Sequence, residues 1–134
     1  MKKKIKTTWV IDDDEIYLFW TTKMIRELEL SENILVYHDG QQAIEELKAI
    51  NTAGEKFPEV ILLDINMPIM NGWDFLEEFV KIPHQNDTKV LVYVVSSSIA
   101  QEDLERAKQF DVVHNYILKP LTVEQLKEVM AVVV

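Results

Sequence analysis

The chain has 134 residues, 48% of them hydrophobic, enough for one domain with one core and too apolar for a disordered segment. Fourteen basic residues against 23 acidic ones leave a net charge of −9; Lys2, Lys3, Lys4 and Lys6 crowd the start, so the body beyond them is more acidic still and repels nucleic-acid backbones and anionic lipid. With no cysteine, disulfides, thiolate metal sites and a cysteine nucleophile are excluded, and the composition agrees with a cytoplasmic protein.

Residues 1–6 read as a flexible basic N-terminus. Thr7–Ile11 then reads as a strand, and its Trp9-Val10-Ile11 run stops at Asp12, too short for a signal-peptide core. No run in the chain approaches membrane-spanning length. Asp12-Asp13-Asp14 precedes a helical pattern, Glu15–Glu29, with apolar Tyr17, Trp20, Met24, Ile25 and Leu28. Asp14 is the natural cap of that helix. The two remaining carboxylates would repel each other unless a cation lay between them.

A second strand, Ile34–His38, leads to a helix at Gln41–Ile50 with Ala43, Ile44 and Leu47 on one stripe. Asn51–Pro58 reads as a loop. The stretch "VILLDINMP", residues 60 to 68, sets four apolar residues directly before a carboxylate. Val60–Leu63 has the composition of a strand buried on both faces, which puts Asp64 at its carboxyl end. Asn71 is a suitable cap for the helix Gly72–Val80, with Phe75, Leu76 and Phe79 facing inward. After a loop at Pro83–Lys89, Val90–Ser96 reads as a strand that runs into Ser97 and Ser98.

Ser98-x-x-Gln101 has the form of a capping box, and the helix Ala100–Phe110 repeats Ala100, Leu104, Ala107 and Phe110. The last strand, Asn115–Leu118, ends in Lys119-Pro120, a candidate cis peptide. Thr122-x-x-Gln125 then opens a helix with Leu126, Val129, Met130 and Val133. His38, His84 and His114 read as incidental surface residues. Trp9, Trp20 and Trp73 read as packing residues, with Trp73 close to the Asp64 loop.

Five strand-then-helix units predict one α/β domain over 1–134, with a parallel sheet covered on both faces. In such a sheet all carboxyl ends share one edge, where ligands bind. Asp12, Asp13, Asp64, Ser96 and Lys119 therefore converge. Singly each has a plain reading as a helix cap, a strand-end hydroxyl or an exposed turn lysine. Together they are a strong signal, and the carboxylates suit a hard, oxygen-seeking divalent ion, Mg2+ or Mn2+.

These motifs carry a resemblance along essentially the whole chain. From "WVIDDDE" through "VILLDINMPIMNGWDFL" and "VYVVSSSI" to "YILKPLT", the sequence resembles the receiver domain of two-component response regulators, of the single-domain chemotaxis type. The resemblance implies a doubly wound, flavodoxin-like (βα)5 fold with strand order 2-1-3-4-5. It implies that Asp64 accepts a phosphoryl group. Asp13 would ligate Mg2+ directly, Asp12 through water, and Asn66 through its backbone carbonyl. Ser96 and Lys119 would bond phosphoryl oxygens, and the Tyr116 rotamer would follow activation. Ser97 stands where the family often has alanine, and Asn66 and Ser98 occupy positions that tune dephosphorylation.

The implied partners are a histidine kinase or histidine phosphotransfer protein upstream and, downstream, a protein bound by the face of the fourth helix, fifth strand and fifth helix. No enzymatic turnover of an outside substrate is implied. A phosphorelay intermediate and a fragment of a longer regulator are the alternatives within the family. A haloacid-dehalogenase-type phosphatase would need a second aspartate where Asn66 stands. A binding module that had abandoned phosphorylation would be expected to lack Asp13, Asp64 or Lys119, and all three are present.

Overall fold

The computed structural model describes residues 4–83 and 89–131. Five strands alternate with five helices: β1 (Ile5–Ile11), α1 (Glu15–Glu27), β2 (Ser31–Tyr37), α2 (Gly40–Thr52), β3 (Val60–Leu63), α3 (Gly72–Phe79), β4 (Leu91–Ser96), α4 (Gln101–Lys108), β5 (Val113–Leu118) and α5 (Val123–Ala131). The strands form one parallel sheet in the order β2-β1-β3-β4-β5, as the resemblance implied. Val60–Leu63 is buried along its whole length, as is β4, because both strands lie inside the sheet with helices on either side.

Alternation along the strands divides the interior in two. Trp9, Ile11, Ile61, Leu63, Val92 and Val94 pack with Ala43, Ile44 and Leu47 of α2, with Phe75, Leu76 and Phe79 of α3, and with Ala107 of α4. Val10, Leu62, Tyr93 and Val95 face the other way, toward Leu18 and Ile25 of α1 and Leu126, Val129 and Met130 of α5.

Several boundaries differ from expectation. β1 begins at Ile5, so Ile5 and Lys6 of the basic segment belong to the sheet, where Ile5 pairs with Ser31. α2 runs on to Thr52, which shortens the loop predicted from Asn51. The buried face of α1 is Leu18, Thr21, Thr22 and Ile25, whereas the expected Tyr17, Trp20, Met24 and Leu28 are only half-buried. Of the apolar residues expected beneath α4, Ala107 alone is buried. Residues 1–3, His84 with the middle of the Pro83–Lys89 loop, and Val133 lie outside the described residues.

Candidate functional site

Register carries the site residues to one place. Tyr37, Ile11, Leu63, Val94 and Tyr116 form a continuous row across the sheet. Asp12 and Asp64 each stand one residue beyond this row, Ser96 two and Lys119 three. Backbone bonds hold the strand ends in step: Asp64 N–H donates to the Ile11 carbonyl at 2.9 Å, Asp12 N–H to the Tyr37 carbonyl at 3.0 Å, and Lys119 N–H to the Ser96 carbonyl at 2.9 Å. The Lys119–Pro120 peptide is cis.

The acidic turn divides its labour. Asp14 caps α1, accepting from the N–H groups of Ile16 and Tyr17 at 3.0 and 3.2 Å. Asp12 Oδ1 accepts from Asp14 N–H at 2.9 Å, which turns the other oxygen, Oδ2, to Lys119 Nζ at 2.8 Å. Asp13 is exposed. On the Asp64 side, Asn71 caps α3 through Asp74 N–H, and Gly72 N–H donates to the Ile65 carbonyl at 2.8 Å. A β-carbon at Gly72 would lie 2.6 Å from the Asp64 carbonyl oxygen. Glycine is what lets α3 start against the backbone of the acidic residue.

Asp12 and Asp64 are 2% and 5% exposed, and carboxylate oxygens of Asp12, Asp13 and Asp64 lie within 4.8 Å of one another. Lys119 Nζ is 3.6 Å from Asp64 Oδ1. Burial, and next the Asp12 charge, push the Asp64 carboxyl up to about 6. Lys119, and after it a hydrogen bond from the Asn66 backbone amide, oppose that rise. Burial alone would lower the Lys119 amine, but its hydrogen bond to Asp12 and the charges of Asp12 and Asp64 raise it, so it stays an ammonium.

Among the described residues one ammonium, paired with Asp12 and Asp64, thus stands against a cluster of three carboxylates, two of them out of water. That surplus of negative charge, presented entirely by oxygen donors, fits a hard divalent cation. Asp12, Asp13 and Asp64 are the residues that would hold it.

The other predicted residues surround this group unevenly. Ser96 is fully buried, and its Oγ accepts from Ser98 N–H at 3.1 Å. Tyr116 Oη donates to the Ser98 carbonyl at 2.9 Å, with its ring against the α2–α3–α4 core. Ser97, Asn66 and Pro120 are exposed. Ser98 is not the cap of α4, which begins after Ala100 without a side-chain cap bond among the described residues. Its hydroxyl instead accepts from Ala100 N–H at 3.2 Å and donates to Asp103 Oδ2 at 2.6 Å. The box fails because the helix starts two residues late.

One site neighbour was hidden in the sequence. Tyr17, taken there as part of the α1 stripe, sets its ring 4.5 Å from Lys119 Nζ. The available signal was its spacing, four residues after Asp13, which brings it back to the acidic turn.

A family model described as the response regulator receiver domain matches residues 9–131. The probable methanogenesis regulatory protein FilR2 of Methanothrix harundinacea is 25% identical over 118 residues, which span 88% of this chain and 74% of that protein. A protein-glutamate methylesterase/protein-glutamine glutaminase of Desulfotalea psychrophila is 33% identical over 113 residues, 83% of this chain but 28% of that enzyme. The crystal structure of a two component response regulator from Cytophaga hutchinsonii aligns with a TM-score of 0.86 at 35% identity, covering 98% of each chain. The CheX-CheY-BeF3-Mg complex from Borrelia burgdorferi aligns at 0.77 with 22% identity, over 96% of this chain and 90% of that one, a likeness of fold.

Proposed function

The chain belongs to the response regulator receiver family, and we propose that it is a phosphorylation-activated switch whose Asp64 takes a phosphoryl group from a phosphohistidine on a partner protein. The observation that carries this reading is the buried carboxylate Asp64 lying within 4.8 Å of two further carboxylates and 3.6 Å from an ammonium. An acceptor carboxylate needs its negative charge, and a carboxyl at about 6 is mostly ionised at pH 7. An Asp64 oxygen attacks phosphorus, the P–N bond to the donor imidazole breaks, and the imidazole leaves with a proton from solvent. Lys119 and Ser96 are placed to bond the phosphoryl oxygens, so the protein's contribution is positioning and charge stabilisation. Bound at Asp12, Asp13 and Asp64, Mg2+ would supply neutralisation of the charge that gathers between the carboxylates and the incoming group.

Donors of this kind are histidine kinases and histidine phosphotransfer proteins, and the reading places the chain with them in the cytoplasm. Output would pass to another protein through the α4–β5–α5 face, where Leu118 is exposed. Ser96 is the link, since its hydroxyl engages the backbone of Ser98, whose carbonyl holds Tyr116. Ser96 can donate its O–H to a phosphoryl oxygen while still accepting from Ser98 N–H, so a hydroxyl drawn toward phosphate would carry the Ser98 loop with it and bias that loop between two arrangements.

The test is labelling by acetyl phosphate in Mg2+. The wild-type chain should gain one acid-stable, base-labile phosphoryl group, and Asp64→Ala and Asp64→Asn should gain none. Labelling that persists in both variants would put the acceptor elsewhere.

A further inference from the structure

Lys119 is the single ammonium of the site among the described residues, and lysine is a long, flexible side chain whose head must be held by its surroundings. Two of its neighbours are accounted for, Asp12 at 2.8 Å and Asp64 at 3.6 Å. The third is the Tyr17 ring, 4.5 Å from Nζ to centroid.

The far end of that ring is buried. The Tyr17 hydroxyl is buried beside the Thr21 hydroxyl and the Leu121 backbone, close enough to feel both yet outside hydrogen-bonding geometry. Trp20 lies alongside, with ring centroids 6.5 Å apart. Burial foremost, with added repulsion from Asp12 and Asp64, pushes the phenol up to about 12, so the ring stays neutral at any working pH. The same helix supplies a contrast. Lys23 stands 5.9 Å from the ring of Phe19, but Lys23 and Phe19 are both exposed and gain little from meeting. Tyr17 and Lys119 meet closer and largely out of water, where a ring face attracts a cation more strongly.

We propose that Tyr17 is a positioning residue for Lys119, its ring face retaining the ammonium beside the acceptor carboxylate while leaving the N–H donors free to change partners. This rests on the receiver reading. For Lys119 to serve a phosphoryl group on Asp64, it must turn one of its three N–H donors to a phosphoryl oxygen while another keeps the bond to Asp12. A side-chain oxygen at position 17 would compete for that donor. A ring face attracts the charge without claiming the hydrogen bond, and its bulk shields the amine from water. Tyr17 is thus the wall against which the lysine takes up a new partner.

Three measurements on the full chain test this. Competitive acylation read by mass spectrometry should show Lys119 of Tyr17→Leu reacting about 5-fold faster than in the wild type, other lysines unchanged, with Tyr17→Phe close to wild type. Phosphorylation by acetyl phosphate should slow about 10-fold in Tyr17→Leu and at most about 2-fold in Tyr17→Phe, a size set by the range of buried cation–ring attractions. Mg2+ affinity, which depends on the carboxylates, should stay within about 2-fold in both. Unchanged Lys119 reactivity in Tyr17→Leu overturns the proposal. So does a Tyr17→Phe defect equal to that of Tyr17→Leu, which would assign the role to the hydroxyl, or a parallel collapse of Mg2+ affinity, which would make the effect one of folding. Faster Lys119 acylation in Tyr17→Leu, together with a wild-type chain that takes no phosphate, sinks the acceptor reading and upholds the contact.

Discussion

Asp64 carries its negative charge at a cost that its surroundings do not fully offset. An unperturbed aspartate titrates near about 3.9, and in the folded chain burial and Asp12 push Asp64 up to about 6. A raised carboxyl means that the native state holds the proton more tightly than the unfolded one. Its contribution to stability is therefore favourable below about pH 4, is lost as pH rises toward 6, and stays lost above that. Asparagine at this position keeps the shape and removes the charge. In metal-free buffer Asp64→Asn should be more stable than wild type by on the order of 2 kcal/mol at pH 7.5 and about equal at pH 4, given about 1.4 kcal/mol per pKa unit. Urea denaturation at the two pH values decides it, and a difference independent of pH would contradict the assigned cause. Asp12, Asp13, Asp64 and Lys119 could be read from sequence because a parallel sheet brings strand ends together whatever its twist. Tyr17 could not, because its approach to Lys119 depends on how α1 is rotated against the sheet.

At the scale of elements, the junction of β3 and α3 fixes the acidic residue in space. Gly72 brings α3 within 2.6 Å, measured to an added β-carbon, of the Asp64 carbonyl and within 2.8 Å of Ile65 Cα. These are backbone atoms and cannot swing aside. Gly72→Ala should therefore lower stability by about 1–3 kcal/mol and weaken Mg2+ binding as well, since the displaced backbone belongs to Asp64. Asn71→Ala offers a control. It removes the bond to Asp74 N–H at 2.9 Å, should cost about 1 kcal/mol, and should leave Mg2+ affinity unchanged. Thermal melts and a Mg2+ titration followed by tryptophan fluorescence separate the two, and equal Mg2+ affinities would refute the coupling. Elements with strongly apolar stripes, α2, α3 and α5, were legible in sequence. α1 was not, because threonines supply half of its buried face. Thr22 can be buried because its hydroxyl donates to the Leu18 carbonyl at 2.8 Å inside the helix, a satisfaction that no hydropathy pattern reveals.

Across the whole molecule, the helices are anchored very unequally. α3 buries Trp73, Phe75, Leu76 and Phe79 and is capped by Asn71. α4 buries only Ala107, and its start lacks a side-chain cap bond among the described residues. Apart from Ala107 and the Phe110 ring that follows the helix and stacks on Trp73, what ties α4 down lies on its surface and at its leading loop. Arg106 sits 5.0 Å from the Trp73 ring and 3.3 Å from Glu77, and Ser98 bonds Asp103 at one end and receives Tyr116 at the other. Exposed ion pairs of this kind contribute little, so α4 belongs at the low-stability end of the fold. The loop that leads into α4 is the one that Ser96 grips, through the bond from Ser98 N–H to its hydroxyl. A group that recruits the Ser96 hydroxyl therefore acts on the element least able to resist. Amide exchange in Mg2+ with and without beryllofluoride, a phosphoryl mimic, tests this. Before addition α4 should exchange faster than α3, and addition should change protection in α4 and residues 97–100 while leaving α2 and α3 as they were. Tyr116→Ala should weaken the response in α4 without preventing the mimic from binding. A response spread evenly over all five helices would mean that the acceptor site acts on the fold as a whole, and that the uneven anchoring of α4 plays no part in the signal.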